Sequence, residues 1–240
     1  MTDTVGTGPL AGRIALVTGA SRGIGAATAL ELAAKGAHVV LTARKAKELE
    51  AVEEAIHAAG GSATIAPLDL TASDSIARLA AAITERWNRL DILVISAAML
   101  PTLTPVTQID RKQFNDALTL NLLATQALLA SFDPLLKRAP AGRIIGLSSS
   151  VGTEPRAFWG AYGATKAAFE SLLASYAQEI ARISNTRVAI LDPGATRTAM
   201  RARAYPGEDP MSVKPPERVA ERISAMLVDD FTNMHRERVE

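Results

Sequence analysis

The sequence predicts an α/β fold: a doubly wound parallel sheet with helices on both faces, three layers deep. Three observations carry that expectation. Short runs that are mostly apolar on both faces, as strands buried on both sides are, alternate with segments of helical period along most of the 240 residues. Each run is followed by a segment long enough to cross back over the sheet. No repeat, low-complexity tract or internal linker interrupts the alternation, and 48% hydrophobic residues in a chain of this length build a large core. The expected organisation is a flexible leader over residues 1–10 and a single domain over residues 11–240.

The first strand is the run IALVT at 14–18. A helix over 26–35 ends at Gly36, a good C-terminal stop. A strand over 38–42 leads to a helix over 47–59, stopped by Gly60-Gly61. After a third strand, 63–68, Thr71-Ala-Ser-Asp74 reads as a capping-box type of start for a helix over 74–87. The fourth strand is 91–95. A long helix over 110–132 follows, ended near Pro134; its Leu118, Leu120, Leu122, Leu123, Leu128 and Leu129 are apolar around much of the circumference, as in a helix buried on more than one side. A fifth strand at 143–147, a loop, a helix over about 159–183 and a sixth strand at 187–191 complete the regular part. The stretch 193–216 is rich in Pro and Gly, and a helix over 217–227 closes the pattern.

Composition excludes several classes of function. A formal net charge of +1 gives no reason to expect nucleic acid or an anionic membrane as partner. With no cysteine there is no disulfide, thiolate catalysis or cysteine-ligated metal. His38, His57 and His235 are scattered without metal spacing, so no metal is expected. The N-terminus lacks the basic start and apolar core of a signal peptide, and the apolar stretch 92–100 is far too short to span a bilayer. The expected location is the cytoplasm.

The first strand runs into Thr18-Gly19-Ala20-Ser21-Arg22-Gly23-Ile24-Gly25, and a helix follows. Glycines there permit a tight turn and close approach of backbone to a pyrophosphate, while the helix N-terminus offers N–H groups and the positive end of its dipole. The setting makes this a Rossmann-like dinucleotide site, with Gly19, Ser21, Arg22, Gly23, Ile24 and Gly25 as cofactor contacts. An acidic residue ending the second strand would favour NAD. This strand ends in Thr42-Ala43 and is followed by Arg44. Arg22 and Arg44, with no carboxylate, suit a 2′-phosphate, so NADP(H) is preferred and NAD(H) kept as the alternative. Asp69, beside Leu70 at the end of the third strand, either accepts a hydrogen bond from adenine or caps a turn.

Tyr162 and Lys166 are four apart on one helix face. Either the ring is buried for packing and the lysine solvated, or the ammonium lowers the phenol's pKa and makes a proton donor. In order along the chain, the loop at 18–25, Asp69, Asn121, Ser148-Ser149-Ser150, Tyr162-x-x-x-Lys166 and Asp192-Pro193-Gly194 followed by Thr196 and Thr198 resemble the short-chain dehydrogenase/reductase family. The closest likeness is to its single-domain branch, which contains the bacterial 3-oxoacyl-carrier-protein reductases, and it runs from Gly12 to at least Thr198.

The resemblance implies a reductase of small-molecule carbonyl compounds, or the reverse alcohol dehydrogenase. Tyr162 would be the general acid, with Lys166 lowering its pKa and also holding the nicotinamide ribose. Ser149, thirteen residues before Tyr162 as in the family, would bind the substrate oxygen. Asn121 would hold a proton-relay water against the lysine. Pro193, Gly194, Thr196 and Thr198 would meet the nicotinamide end, with Thr198 better matching the usual spacing. The stretch Ile95-Ser96-Ala97-Ala98 departs from the family's Asn-Asn-Ala-Gly. It keeps Ala97 as a cofactor contact but puts Ser96 where an asparagine braces the sheet and Ala98 where a glycine lies near the ribose. The end at Arg236-Glu-Arg-Val-Glu240 implies an abbreviated seventh strand. The segment 195–213 would close over the substrate, its Arg201 and Arg203 either meeting an anionic group or standing in solvent. Leu100, Val151, Phe158 and Trp159 would make an apolar pocket. Relatives pair the long helix and the Tyr–Lys helix across a two-fold axis, so a homodimer or homotetramer is expected. The competing readings are a catalytically silent nucleotide-binding sensor or scaffold of the same fold, and an epimerase or dehydratase, which needs a larger substrate domain.

Overall fold

The strands β1 (Ile14–Thr18), β2 (His38–Ala43), β3 (Ser62–Pro67), β4 (Ile92–Ile95), β5 (Arg143–Leu147), β6 (Arg187–Asp192) and β7 (His235–Arg238) form one sheet in the order β3-β2-β1-β4-β5-β6-β7. Every pairing is parallel. The computed structural model describes residues 7–240, so residues 1–6 of the expected leader lie outside the described residues. Leu10 belongs to the body of the fold and not to a flexible leader: it is fully buried, and its N–H donates to the Lys35 carbonyl at 2.9 Å.

Alternation along the strands divides the core into two layers. Ala15 and Val17 face one side, with Leu32 of α1 (Gly23–Ala34), Leu49 and Ile56 of α2 (Ala46–Ala58) and Ile223 of the last helix. Leu16 faces the other, with Leu79 and Ile83 of α3 (Ser75–Trp87) and with Phe132, Phe169 and Leu173. The order of the chain reverses between β1 and β4, so a crevice opens at their C-terminal ends, where such sheets bind ligands.

One expected helix boundary and one expected cap fail. The expected helix 110–132 is α4 (Arg111–Leu118), a π-helical turn Thr119–Leu123, and α5 (Ala124–Arg138), with Pro134 inside α5. Proline inside a helix costs about 3 kcal/mol. The buried Leu135 and Leu136 just beyond it each return about 1.5–3 kcal/mol, so the helix continues. The capping box at 71–74 does not form. Asp74 sits at φ 57° without a side-chain cap, and the Thr71 N–H and hydroxyl both donate to Asp69 Oδ1, at 2.9 and 2.7 Å. Beyond β5 come α6 (Gly160–Ile180), α7 (Ala199–Ala204) and α8 (Pro216–Asp229).

The short seventh strand is there, four residues paired with β6 from Ala189↔His235 to Asp192↔Arg238. As an edge strand it is built of charged residues, which discourages further pairing. Glu237 accepts from Arg222 of α8 through Nε at 2.5 Å and an Nη at 2.7 Å, with His235 Nε2 at 2.9 Å. The Arg222 guanidinium, helped by His235, lowers its carboxyl from 4.5 to about 2. A depressed carboxylate pKa stabilises the fold above pH 4.5, and that contribution is lost as the pH falls from there toward about 2. Glu237→Gln should lower Tm at pH 7 by about 2–4 °C, matching about 1 kcal/mol in a chain of this size. It should also flatten the fall of Tm across the acid window. A variant that melts in parallel with the parent at every pH would remove Glu237 from the account.

Candidate active site

Thr18 ends β1 with its side chain buried beneath the crevice. Its hydroxyl donates to the Val94 carbonyl at 3.3 Å and accepts the N–H groups of Ser96 and Ala97 at 3.0 and 3.1 Å. Thr18 therefore ties the end of β1 to the loop after β4, and Ser96 contributes through its backbone and not its side chain. Gly19 follows at φ +68°, with room for a Cβ denied by Ala97 Cα at 2.9 Å. At Gly25 a Cβ would stand 2.2 Å from the Gly19 carbonyl oxygen. These two contacts fold the loop tightly under the start of α1, with Ile24 packed on the core. The N-cap residue of α1, Arg22, has no side-chain cap and the first turn no acidic residue, so its N–H groups face the crevice unpaired by protein side chains.

Arg22 and Arg44 are exposed at the side of this loop. Glu48 of α2 stands among the cations: Lys45 Nζ is 2.7 Å away, and with Ser21 and Arg22 it holds the carboxyl below its usual range. Asp69 is a turn cap through Oδ1, and its hydrogen bonds from Thr71, with a smaller contribution from Arg44, lower its carboxyl. Leu70 packs on the core beside it.

Tyr162 and Lys166 lie in the first two turns of α6 and are 6% and 3% exposed. The serine turn at 150–152 lies against this helix: a Cβ on Gly163 would be 2.9 Å from the Val151 carbonyl oxygen, so the small residues between tyrosine and lysine permit the approach. The three serines separate by their partners. The Ser148 hydroxyl donates to Glu170, the Ser150 hydroxyl accepts from Arg156 at 2.9 Å, and the Ser149 hydroxyl has no partner among the described residues. Lys166 Nζ donates to the Leu147 carbonyl at 2.7 Å and stands 5.8 Å from the centre of the Tyr162 ring.

The expected lowering of the phenol's pKa is not found in this arrangement. Burial, and secondarily the negative charge of Asp192, push the Tyr162 phenol up. Burial also lowers Lys166 from 10.5 to about 8, opposed in part by Glu170. Desolvation of two neighbouring groups outweighs their mutual attraction.

Asn121 is buried in the π turn, where one extra residue per turn projects it out of helical register. Its Oδ1 accepts the Met99 N–H at 2.8 Å, and its Nδ2 donates to the Met99 carbonyl and to Thr165 Oγ1, each at 3.0 Å. The carboxamide thus braces the loop after β4 against α6.

The segment after β6 covers the tyrosine. Gly194, at φ +61°, donates its N–H to Asp192 Oδ1 at 2.9 Å. Thr196 is buried and bonded back to the Pro193 carbonyl at 2.9 Å, whereas the Thr198 methyl faces the glycine loop, 3.4 Å from where a Gly23 Cβ would be. Thr198 also caps α7, accepting the Arg201 N–H at 3.1 Å. Met200 Sδ lies 4.0 Å from the Tyr162 hydroxyl. Leu100, Leu103, Val151, Trp159, Met200 and Ala204 surround the ring. Phe158 is not among them: at φ +71° it is 56% exposed. Neither lid arginine faces an open anion site. Arg201 pairs with Glu208 through two hydrogen bonds and lies 3.7 Å over the Tyr205 ring, and Arg203 donates to the Leu100 carbonyl.

Residues 13–209 match the family described as short chain dehydrogenase. The chain belongs to that family. It is 37% identical over 221 residues to the uncharacterised oxidoreductase YciK of Escherichia coli K12, covering 91% of this chain and 87% of that one. A short chain dehydrogenase from Salmonella enterica serovar Typhi superimposes with a TM-score of 0.92 at 34% identity over 97% of each chain. A metagenomic short-chain oxidoreductase solved in complex with NADP does so with a TM-score of 0.82 at 35% identity, over 96% of this chain and 97% of that one. The protein is therefore an NAD(P)-dependent oxidoreductase.

Sequence reasoning missed three groups in this short-chain dehydrogenase. Thr18 opened the glycine motif, but nothing in the sequence showed that its hydroxyl ties β1 to the loop after β4. Lys214 Nζ donates to the Val239 carbonyl at 3.0 Å, beside Gly194, and thereby fixes the chain's end next to the Pro193–Gly194 loop. Glu170, buried between Ser148 and Arg236, carried no signal beyond being an acid on a helix otherwise apolar at that face. Among the described residues, no helix is long and apolar enough to cross a membrane, and no cluster of His, Cys, Asp or Glu could hold a metal.

Proposed function

We propose that this dehydrogenase interconverts a small uncharged carbonyl compound, of ketone or 3-oxoacyl type, and its alcohol with NADP(H). The observation that carries the reading is the pairing of buried Tyr162 and Lys166 with the unpartnered Ser149 hydroxyl, under a lid of apolar side chains. The cofactor supplies or takes up the hydride. Gly19, Ser21, Gly23, Ile24 and Gly25 would hold its pyrophosphate: the space that a Cβ on Gly19 or Gly25 would fill and the open end of α1 suit that group. Arg22 and Arg44 would meet the 2′-phosphate, and the metagenomic relative's complex with NADP supports that choice of cofactor. Asp69 and Leu70 would border the adenine, and Ala97, Pro193, Gly194, Thr196 and Thr198 the nicotinamide half.

Ser149 holds the substrate oxygen by donating its hydroxyl, and Tyr162 donates the phenol proton to that oxygen as it becomes an alcohol. Lys166 lies behind the tyrosine and stabilises the phenolate that remains. Asn121 is a positioning residue, holding α6 against the loop after β4. Arg201 and Arg203 are committed to protein partners, which favours a substrate without a charged group. The test is NADPH oxidation with benzaldehyde, 2,3-butanedione, ethyl acetoacetate and acetoacetyl-N-acetylcysteamine as probes. NADPH binding without turnover of any probe would favour the silent sensor.

Cofactor choice is tested by binding. Arg44→Ala and Arg22→Ala should each weaken NADPH about tenfold or more by loss of a charge-assisted hydrogen bond. NADH affinity should stay unchanged. Equal weakening of both cofactors would mean that the arginines do not read the 2′-phosphate. We further take the protein as a cytoplasmic homodimer or homotetramer. A groove of about 300 Å³ between α3 and α5, lined by Leu70, Ile76, Ala124 and Ala127 and edged by Leu123 at 57% exposure, favours association. A monomer by light scattering at micromolar concentration would refute it.

A further inference from the structure

Glu170 stands one turn beyond Lys166 and two beyond Tyr162, on the same face of α6. Its side chain is 8% exposed, and both carboxylate oxygens are engaged. Oε1 accepts from the Ser148 hydroxyl, and Oε2 accepts from the Arg236 guanidinium, which reaches in from the edge strand β7. A buried carboxylate persists only when it is paired and hydrogen-bonded, and here the counter-charge comes from the last residues of the chain. The contact is close on the other side as well. A Cβ on Gly152 would lie 3.1 Å from Glu170 Oε1 and 3.2 Å from the Lys166 carbonyl carbon. Serine turn, carboxylate and lysine helix therefore meet at one point.

Ser148 is spent on this contact, and Ser149 next to it is the serine left open. We propose that Glu170 is a positioning residue: from α6 it grips the Ser148 hydroxyl, is itself held by Arg236, and so sets where Ser149 stands relative to Tyr162. The C-terminal strand thereby supports the reacting groups. The catalytic meaning of this grip rests on the reductase reading above.

The test uses the full chain with Ser148→Ala, Glu170→Gln and Glu170→Leu. Ser148→Ala removes one oxygen and keeps the backbone, so it serves if the leucine variant fails to fold. Glutamine keeps an acceptor for Ser148 and loses the charge. Amide exchange over residues 148–152 of the protein alone should quicken about tenfold in Ser148→Ala and Glu170→Leu, as for a turn released from its tether. It should quicken less in Glu170→Gln, which keeps the acceptor for Ser148 and loses the ion pair with Arg236. With the probe that the parent reduces among the four named above, kcat should fall about tenfold in Ser148→Ala and Glu170→Leu, the scale of a small misplacement, while KM and the NADPH Kd stay within about twofold. Unchanged exchange in Ser148→Ala, or a rise in KM at constant kcat, overturns the proposal. So does a glutamine variant as poor as the leucine one, since charge and not grip would then be at work. If the parent reduces no probe, the reductase reading alone falls, because the exchange measurement needs neither cofactor nor substrate and decides the grip by itself.

Discussion

Tyr162→Phe is expected to cut turnover by about 10²–10⁴-fold, the range of a positioned general acid, while NADPH affinity stays within about twofold. The variant removes one oxygen and leaves the ring. The ring's neighbours Trp159, Leu100 and Val151 are apolar or aromatic and make their contacts without the hydroxyl. The hydroxyl's one contact is with Met200 Sδ at 4.0 Å, too weak to leave a costly orphan when it goes. Thermal stability should therefore be unchanged, which separates loss of chemistry from loss of fold. The direction of the phenol's shift adds a second expectation. Burial and Asp192 keep Tyr162 protonated through neutral pH, the form needed to reduce a carbonyl. Oxidation of the alcohol needs the phenolate, so its optimum should lie at higher pH than that of reduction. A phenylalanine variant that keeps a tenth of the parent's rate would place the proton donor elsewhere.

Gly25→Ala should abolish cofactor binding, with an NADPH Kd raised by about a hundredfold or more, as expected when backbone donors leave the phosphate. The added methyl would stand 2.2 Å from the Gly19 carbonyl oxygen and 2.8 Å from its carbon. Both obstacles are backbone, so no rotamer change relieves them. The turn must open, and the backbone that faces the crevice moves with it. Overpacking of this kind costs about 1–3 kcal/mol, and Tm should drop by about 2–10 °C. Gly207→Ala is the matched control, since a Cβ there meets nothing within 4 Å and its φ is not positive. Wild-type NADPH affinity in Gly25→Ala would mean that the loop is not the phosphate cradle.

The inner strands were legible because a strand buried on both faces is apolar at most positions, a property of the residues themselves. The glycine loop was legible for a similar reason: its conformation requires missing side chains, and missing side chains can be seen in a sequence. The choice of Ser149 rested on spacing, and the structure adds a physical ground, since Ser148 and Ser150 have partners and Ser149 has none. The end of the expected helix 110–132 was misread because proline and leucine pull in opposite senses there. Local propensity stops the helix at Pro134, while burial of Leu135 and Leu136 carries it to Arg138.

Order of elements, a parallel sheet, the glycine loop and the Tyr–Lys pair were thus determined by the sequence, since each depends on residue type and on neighbours close along the chain. Tertiary structure alone decided how those groups are charged and held. Lys166 turns to the Leu147 carbonyl, Arg201 and Arg203 are taken up by Glu208 and Leu100, and Glu170 is matched by Arg236, 66 residues away. Desolvation and ion pairing depend on what packs around a group in space, and that packing comes from segments far apart in the chain.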